Sequence, residues 1–316
     1  MKCANGRTMQ AASSAGPEGI LLVDKAEGWT SHDVVARLRR ICGQRRIGHT
    51  GTLDPMATGL LVVCLGRATR LVEYMTAHDK AYEGEIVLGV TTDTDDSMGT
   101  VTARAVAPRL EAEERRTLEA AFTGRIRQRP PDYSAVKVQG RRAYAIARGG
   151  GTPEIAEREV EVRHVRLEQL AAGRLALRVS CGPGTYIRSI ARDIGERLGC
   201  GAHLGALRRT EVGRFRVEEA LAVEEVTRVV EAGRLEDVLL AADEGIVEFD
   251  AAILSVGRCE ALSLGKALAP DGVDWRAATR ARIYSAEGEF AGVGMVEWDG
   301  LVRGTKVFFA HQGDSA

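Results

Sequence analysis

The residues best suited to chemistry lie in one twelve-residue stretch, residues 48–59, which reads GHTGTLDPMATG. Asp54 is its only acidic side chain, and Pro55 biases the aspartate towards an extended backbone. Apolar neighbours on either side can exclude water from this carboxylate. The pattern predicts a ligand-facing loop between two packed elements, with Asp54 as its reactive group. An aspartate that caps a turn is the alternative.

Other readings of this stretch have less support. A phosphate-binding loop would end in Gly-Lys-Ser/Thr, which is missing. His49 and Asp54 are five residues apart, with no third ligand at a recognisable metal spacing. The acidic loop with Asp93, Asp95 and Asp96 lacks the glycine and glutamate spacing of an EF-hand. We therefore expect neither a metal site nor a cofactor.

Basic and aromatic residues alternate in the long segment 125–151, which is predicted to be irregular. It contains two prolines, Tyr133, Tyr144 and seven basic side chains. RNA-binding proteins use such combinations for base stacking and phosphate contact, whereas a solvated loop needs neither prolines nor tyrosines. Five arginines between residues 36 and 46, and a further basic cluster at 208–216, extend the pattern. The formal net charge is only −1 because acid concentrates elsewhere, so separated charged faces and a polyanionic ligand are predicted.

The length of 316 residues predicts about two domains, and 45% hydrophobic with 28% charged residues is typical of a globular protein. Six scattered cysteines indicate neither a disulfide framework nor a zinc site. No apolar run is long enough for a membrane helix, and the small, polar residues 1–16 resemble a loose tail more than a secretion signal. A cytoplasmic protein is expected.

Regular elements are predicted on both sides of the Asp54 loop. Thr30 or Ser31 can cap a helix that has one apolar face and one arginine-rich face. Arg188 falls in the first turn of another predicted helix, where the helix dipole disfavours a cation, so a partner carboxylate is expected. The further predicted strands are 19–25, 60–65, 80–90, 160–170 and 174–181, and the further predicted helices are 68–76, 110–122 and 223–242.

The carboxyl-terminal residues 252–312 are short apolar runs separated by glycines. This pattern predicts short strands arranged in a small β-barrel. Residues 243–250 are expected to connect it to the preceding domain.

Five separated motifs in this sequence resemble those of the tRNA pseudouridine synthase B family. They cover roughly residues 19–215 in the family's order, and the end of the chain is similar, more loosely, to the PUA RNA-binding module. The motifs are GHTGTLDP with ATG (48–59), ATR (68–70), DKAY (79–82), PPDYSAVK (130–137) and GTYIR (184–188).

The resemblance implies an α+β fold and three parts of the chain. These are a flexible tail at 1–16, a pseudouridine synthase domain at 17–248 with a mixed β-sheet and flanking helices, and a PUA-like barrel at 249–316. It implies that tRNA is the partner, and that the uridine at position 55, in the T arm, is flipped out of its stack and isomerised. No cofactor, metal, membrane or protein partner is implied, and a monomer is expected.

The resemblance also implies roles for individual residues. Asp54 is the catalytic carboxylate, which attacks the base or the sugar or removes a sugar proton, and Arg188 keeps it ionised. Tyr82 stacks on the flipped base and moves a proton. His49 fills the space that the nucleotide leaves. The base pocket is lined by Tyr186 and Leu207, and Lys25 lies on a family motif without a role that the sequence reveals.

Two other functions fit part of the pattern. A non-catalytic RNA-binding protein or chaperone would use the same basic faces but leaves Asp54 unexplained. A guide-RNA-dependent relative would work inside a ribonucleoprotein, although residues 137–144 look like the stand-alone bacterial form.

Overall fold

The computed structural model describes residues 16–269 and 279–308. The predicted tail therefore lies almost wholly outside the described residues. A ten-stranded mixed sheet in the order β14-β1-β3-β12-β4-β11-β10-β7 forms the main body, with β2 paired to β3 and β13 paired to β12. The strands are β1 (Gly19–Lys25), β2 (Ile47–His49), β3 (Thr58–Leu65), β4 (Lys80–Leu88), β5 (Val90–Thr92), β6 (Val101–Arg104), β7 (Gly124–Gln128), β8 (Lys137–Val138), β9 (Arg141–Arg142), β10 (Arg158–Ala171), β11 (Arg174–Cys181), β12 (Ala202–Val212), β13 (Phe215–Arg216), β14 (Leu221–Ala222), β15 (Asp250–Leu254), β16 (Arg280–Ser285), β17 (Phe290–Val296) and β18 (Val302–Val307).

Helices pack against the main sheet, and on β1 and β3 alternate side chains belong to two different buried clusters, Leu21 and Leu61 to one and Ile20 and Leu60 to the other. The helices are α1 (Ser31–Ile41), α2 (Val72–Thr76), α3 (Ala112–Ala121), α4 (Ala143–Arg148), α5 (Ile187–Arg197), α6 (Val223–Glu231) and α7 (Val256–Ser263). Thr30 caps α1 as the sequence predicts, with its side chain accepting a hydrogen bond from the Asp33 amide. One buried cluster includes α3 and α5, and another includes α1 and α6.

Strand β12 is central to the site because it lies between β3 and β4. It runs parallel to β3, where Arg209 pairs with Gly59, and antiparallel to β4, where Arg209 pairs with Tyr82. Gly59 has a φ of 97°, and a Cβ there would collide with the Arg209 backbone. Glycine at this point therefore lets the end of the Asp54 loop approach β12 closely. The sequence analysis did not predict this strand.

The structure corrects two further expectations. The segment 125–151 is not irregular throughout, because β7, β8, β9 and α4 lie in it or overlap it. Strand β7 reads as a loop because arginines occupy its exposed positions, yet Arg125 and Arg127 pair with Glu159 and Glu157. In the carboxyl-terminal unit, α7 replaces one of the expected strands.

The carboxyl-terminal strands form a separate four-stranded sheet in the order β15-β16-β17-β18. No pairing between β15 and β18 closes it within residues 250–269 and 279–308, so the described part is a sheet and the predicted barrel is not seen there. This unit is nevertheless packed on the main body, since Val293 and Phe308 belong to the same buried cluster as Leu71 and Met75. No helix among the described residues is long and apolar enough to cross a membrane.

Candidate active site

The Asp54 loop connects β2 to β3, and both of its ends are held by hydrogen bonds. The Ser31 side chain, at the start of α1, accepts a bond from the Leu53 amide at 2.8 Å and donates one to the Leu53 carbonyl at 3.2 Å. The Gly28 amide donates to the Pro55 carbonyl at 2.8 Å. Asp54 therefore lies between two anchored neighbours, and its side chain remains 34% exposed. A loop held in this way presents a carboxylate in a fixed position.

Lys25 gains a role that the sequence did not reveal. Its residue is completely buried, and Nζ donates to the carbonyls of Trp29 at 2.7 Å, Ala26 at 3.0 Å and Pro55 at 3.5 Å. Burial lowers the pKa of Lys25 to about 8, and the nearby Asp54 carboxylate opposes this shift. The lysine thus fastens the turn after Asp54 to the end of β1.

Arg188 contacts both carboxylate oxygens of Asp54. Nη2 donates to Oδ1 at 3.1 Å, and Nε lies 2.9 Å from Oδ2, although that contact is too poorly aligned to be a hydrogen bond. The Arg188 side chain is only 4% exposed. The expected ion pair is therefore present, with the arginine buried and the aspartate open to solvent.

Three other groups hold Arg188 in place. Nη1 donates to the Thr94 carbonyl at 2.9 Å and Nη2 to the Tyr133 carbonyl at 3.1 Å, while Asp96 Oδ2 lies 3.5 Å from Nη1. These contacts explain why α5 tolerates a cation in its first turn. Asp96, buried with Arg188, is a site residue that the sequence analysis considered only as a metal ligand. Its position beside Arg188 depends on the fold and has no local signal.

Tyr82 lies on β4 in the buried cluster that also contains Leu53, Ile187 and Leu207. Burial raises the pKa of the Tyr82 hydroxyl, while the positive charge of Arg209 acts in the opposite direction. Leu207 is itself buried, on β12 opposite Gly84 of β4. The structure thus brings Tyr82 and Leu207 together in the apolar cluster that supports the Asp54 loop.

His49 and Tyr186 lie farther from this centre. The His49 ring is packed edge-on against His32, with centroids 5.6 Å apart, and its Nδ1 is buried without a hydrogen-bond partner in the described chain. Burial lowers the pKa of His49 to about 4, and the ring is therefore neutral. Tyr186 precedes α5, where the Gln128 side chain bonds to its backbone and the Arg158 guanidinium lies 5.0 Å from its ring. Within residues 16–269 and 279–308, neither side chain hydrogen-bonds to Asp54 or Arg188.

The arginines of the basic cluster at 208–216 already have partners within the protein. Arg208 makes a forked ion pair with Asp24, at 2.7 and 3.0 Å. Arg209 is buried. The remaining arginines, Arg214 and Arg216, pair with Glu244 and Glu211.

The arginines at the end of α1 and just after it are different. They are exposed, and they make no ion pair with any residue in the described part of the chain. They are Arg37, Arg40, Arg45 and Arg46.

The residues described by the structure contain no group of three or more histidine, cysteine, aspartate or glutamate side chains that could hold a metal ion. In the acidic loop, Asp93 accepts a bond from the Thr100 amide at 2.7 Å, and Asp95 pairs with Arg192 at 3.1 Å. These carboxylates therefore have protein partners.

Comparison with known proteins identifies one family. The family model described as TruB family pseudouridylate synthase (N terminal domain) matches residues 39–187, and that of the tRNA pseudouridylate synthase B C-terminal domain matches residues 188–247. A tRNA pseudouridine synthase B from Xanthomonas campestris pv. campestris is 42% identical, with 92% of this chain and 94% of the relative covered. One from Thermobifida fusca is 45% identical, with 81% and 88% covered. A shorter one from Opitutus terrae is 48% identical, with 66% of this chain and 87% of the relative covered.

Two solved structures share the fold. One is described as an H/ACA RNP bound to a substrate RNA containing 2'-deoxyuridine, with a TM-score of 0.71 and 23% identity, covering 93% of this chain and 86% of that chain. The other is a Cbf5-Nop10-Gar1 complex, with a TM-score of 0.71 and 25% identity, covering 92% and 85%. The main body therefore has the mixed α+β fold of pseudouridine synthases.

Proposed function

The chain belongs to the TruB family of pseudouridylate synthases, whose tRNA pseudouridine-forming activity it shares, and from this premise we propose that it isomerises the uridine at position 55, in the T arm of tRNA, through Asp54. The observation that carries the proposal is the ion pair between buried Arg188 and partly exposed Asp54. The arginine holds the carboxylate in place, and the exposed part of the Asp54 side chain can meet a substrate.

The reaction breaks the glycosidic C–N bond, turns the uracil and joins it again through C5. Product and substrate are isomers, so electrons and atoms balance without an external oxidant or reductant. We accordingly propose no cofactor and no metal. Asp54 acts as the nucleophile or base, by attack on the base or sugar or by removal of a sugar proton. In all three cases, the ionised carboxylate is the reactive form.

The pocket for the base is proposed to form beside the cluster of Tyr82 and Leu207. Because a base in a duplex is hidden, the uridine must be flipped out to reach Asp54. Tyr82 then stacks on it, and its hydroxyl moves a proton to or from the base. In this proposal Tyr186 also lines the pocket, and the neutral ring of His49 fills the space that the nucleotide leaves.

Binding of the tRNA backbone is proposed to use the exposed arginines 37, 40, 45 and 46. Since Ser31, at the other end of α1, anchors the Asp54 loop, a backbone that lies along this helix leads to the site. Phosphates supply the anionic partners that these side chains lack in the described protein.

We propose three parts of the chain, a tail at 1–16, a catalytic domain at 17–248 and an RNA-binding unit at 249–316 with a PUA-like role. The enzyme is proposed to act as a cytoplasmic monomer without a protein or guide-RNA partner.

The decisive experiment incubates the pure protein and its Asp54→Asn variant with unmodified tRNA, and then measures pseudouridine chemically. We expect kcat to fall by at least ~10³ with little change in tRNA binding, because the amide is nearly isosteric but cannot act as a nucleophile or base. The matched control is Asp237→Asn, which removes an exposed carboxylate that pairs with Arg234. Substantial activity in Asp54→Asn would place the chemistry elsewhere, and loss of activity in excess EDTA, with the tRNA fold maintained, would contradict the metal-free reaction.

A further inference from the structure

Arg209 is a buried cation that the proposed reaction does not use. The residue is 1% exposed, and it makes no ion pair with any carboxylate among the described residues. A buried charge without an opposite charge is unfavourable for folding. Its presence beside the active site therefore calls for an explanation beyond packing.

All three nitrogen atoms of the guanidinium point to backbone carbonyls around the Asp54 loop. Nε donates to Leu60 at 2.7 Å, in the strand after the loop. Nη2 donates to Gly51 at 3.1 Å and Nη1 to Thr52 at 3.5 Å, before Asp54. A single side chain thus bridges both ends of the loop. A lysine at this position could not make this forked set of bonds.

The same residue lies directly opposite Tyr82. Arg209 and Tyr82 are register partners in the β12–β4 pair, and Arg209 pairs on its other side with Gly59. The loop that carries Asp54 and the strand that carries Tyr82 therefore meet at Arg209. A displacement of about 1 Å between two reacting groups is enough to cost a large part of the rate.

The charge of Arg209 also affects the titratable groups around it. Burial lowers the pKa of Lys25 and that of Lys80 to about 8 each, and Arg209 pushes both pKa values in the same direction. Burial raises the pKa of Tyr82, and Arg209 counteracts it. The other ionisable groups that face this centre are Asp54, the His49 ring and the Cys181 thiol. Burial lowers the pKa of His49 to about 4, with Arg209 acting in the same direction, and burial raises the pKa of Cys181 to about 11.

We propose that Arg209 is a positioning residue that holds the Asp54 loop and Tyr82 in one frame, and that its unpaired charge acts on Tyr82. The proposal rests on the function proposed above, since it assumes that Asp54 and Tyr82 act on the uridine. The fork supplies the geometry, and the charge stabilises negative charge that develops on Tyr82 during the reaction.

Two substitutions separate the two contributions. Arg209→Lys keeps the charge and loses the fork, whereas Arg209→Gln loses both. Arg208→Gln is the matched control, because Arg208 is the neighbouring residue and its side chain is 42% exposed and pairs with Asp24. Each full-length variant is tested for folding by thermal unfolding, for tRNA affinity, and for single-turnover rate from about pH 6 to pH 10.

We expect Arg209→Gln to react about 10²-fold more slowly, with tRNA affinity changed less than about threefold. The pH above which the rate of this variant falls should also rise by about one unit, because loss of a positive neighbour raises the pKa of Tyr82, Lys25 and Lys80 alike. Arg209→Lys should recover part of the rate at the acid end of this range, where a lysine keeps its charge. Arg208→Gln should change none of these.

A folded Arg209→Gln variant with a rate within about threefold of the unchanged protein would overturn the proposal. So would a slow variant whose pH profile does not move, because that result describes a purely structural arginine. If Arg209→Gln does not fold, a normal rate in Arg209→Lys overturns the positioning role. Activity retained by Asp54→Asn, measured in parallel, would instead refute the proposed function itself.

Discussion

At the scale of single residues, the shape of the Arg188 side chain matters as much as its charge. Its guanidinium reaches both Asp54 oxygens and the carbonyls of Thr94 and Tyr133 at once. The ammonium group of lysine is a single point and cannot maintain this arrangement. We therefore expect Arg188→Lys to lower kcat by about 10–10²-fold while tRNA affinity stays nearly constant, as measured by single-turnover assay and filter binding.

The control for this prediction is Arg192→Lys, one turn later on α5. Arg192 pairs with Asp95 and Asp193 and makes no contact with Asp54. Its substitution should affect stability more than rate. A normal kcat in Arg188→Lys would mean that the ion pair with Asp54 has no part in catalysis.

His49 should make folding stability depend on pH. Burial lowers its pKa to about 4 from the ordinary value of 6.5, so between these values the unfolded chain binds a proton that the folded chain does not. Stability is then lost as the pH falls through this window. We expect His49→Gln to reduce that acid-side loss by about 1–2 kcal/mol, a figure that allows for the partial exposure of the ring.

Urea unfolding near pH 7 and near pH 4.5 measures this effect. The exposed His164, replaced by glutamine, is the matched control and should leave the difference between the two pH values unchanged. An equal acid-side loss in His49→Gln and in the unchanged protein would show that His49 is not held neutral by the fold.

At the scale of elements, α1 combines two functions. Its first residue anchors the Asp54 loop, and the arginines at its other end are exposed and unpaired within the described chain. Each phosphate contact contributes about one unit to the salt dependence of binding. We therefore expect the double substitution Arg37→Gln with Arg40→Gln to reduce the slope of log Kd against log salt concentration by about 1–2, with kcat unchanged.

The outer face of the main sheet provides the control. There Arg174 and Arg178 already pair with Glu85 and Glu83 of β4. Replacing these two arginines by glutamine removes the same charge from the protein but should not change the salt slope. An equal effect of both double variants would indicate a response to net charge and no contact between α1 and tRNA.

The elements that the sequence predicted are those with an unbroken pattern. Strand β1, helix α1 with its Thr30 cap, and the β10–β11 pair follow directly from periodicity. Strand β12 was missed because register shifts between Leu204 and Ala206 and between Arg209 and Glu211 break the alternation of a strand. Its arginines also suggested a basic surface, because the sequence does not show which neighbours pair with them or bury them.

The same limit applies to the site. Asp54, Tyr82 and Arg188 could be selected because they lie on family motifs, and Arg188 also by its unfavourable place in a helix. Asp96 and Arg209 could not be selected, because each acquires its role only when distant strands and loops meet. Asp96 lies 92 residues from Arg188, and Arg209 lies 149 to 158 residues from the carbonyls that it binds, so neither contact leaves a local pattern.

At the scale of the whole molecule, the carboxyl-terminal unit is attached more firmly than a tethered module. The Arg67 and Arg70 side chains donate to the carbonyls of Phe308 and Val307, and Lys306 pairs with Glu73 at 2.7 Å. Several of its basic side chains are therefore already engaged with the protein. Arg276, another basic residue of this unit, lies outside the described residues.

Because the carboxyl-terminal unit is attached in this way, a protein truncated after Glu248 should lose both packing and RNA contacts. Truncation at Glu248 removes Val293 and Phe308 from the shared core. Loss of a buried aromatic side chain alone costs about 3–5 kcal/mol, so the melting temperature of the truncated protein should fall by several degrees. If the unit only binds RNA, KM for whole tRNA should rise while kcat stays nearly constant. On an isolated T-arm hairpin, the shortened and full-length proteins should then differ little.

Phe308→Ala is the control, because it weakens the shared core but leaves the RNA-binding surface present. If KM rises in the truncated protein but not in Phe308→Ala, the rise is caused by lost RNA contacts and not by lost packing. The salt dependence of tRNA binding should become weaker in the truncated protein. The size of this change depends on how many unpaired cations of the removed unit contact phosphate. Loss of kcat on the hairpin, in a truncated protein shown to be folded, would mean that the unit shapes the active site through the contacts of Arg67 and Arg70.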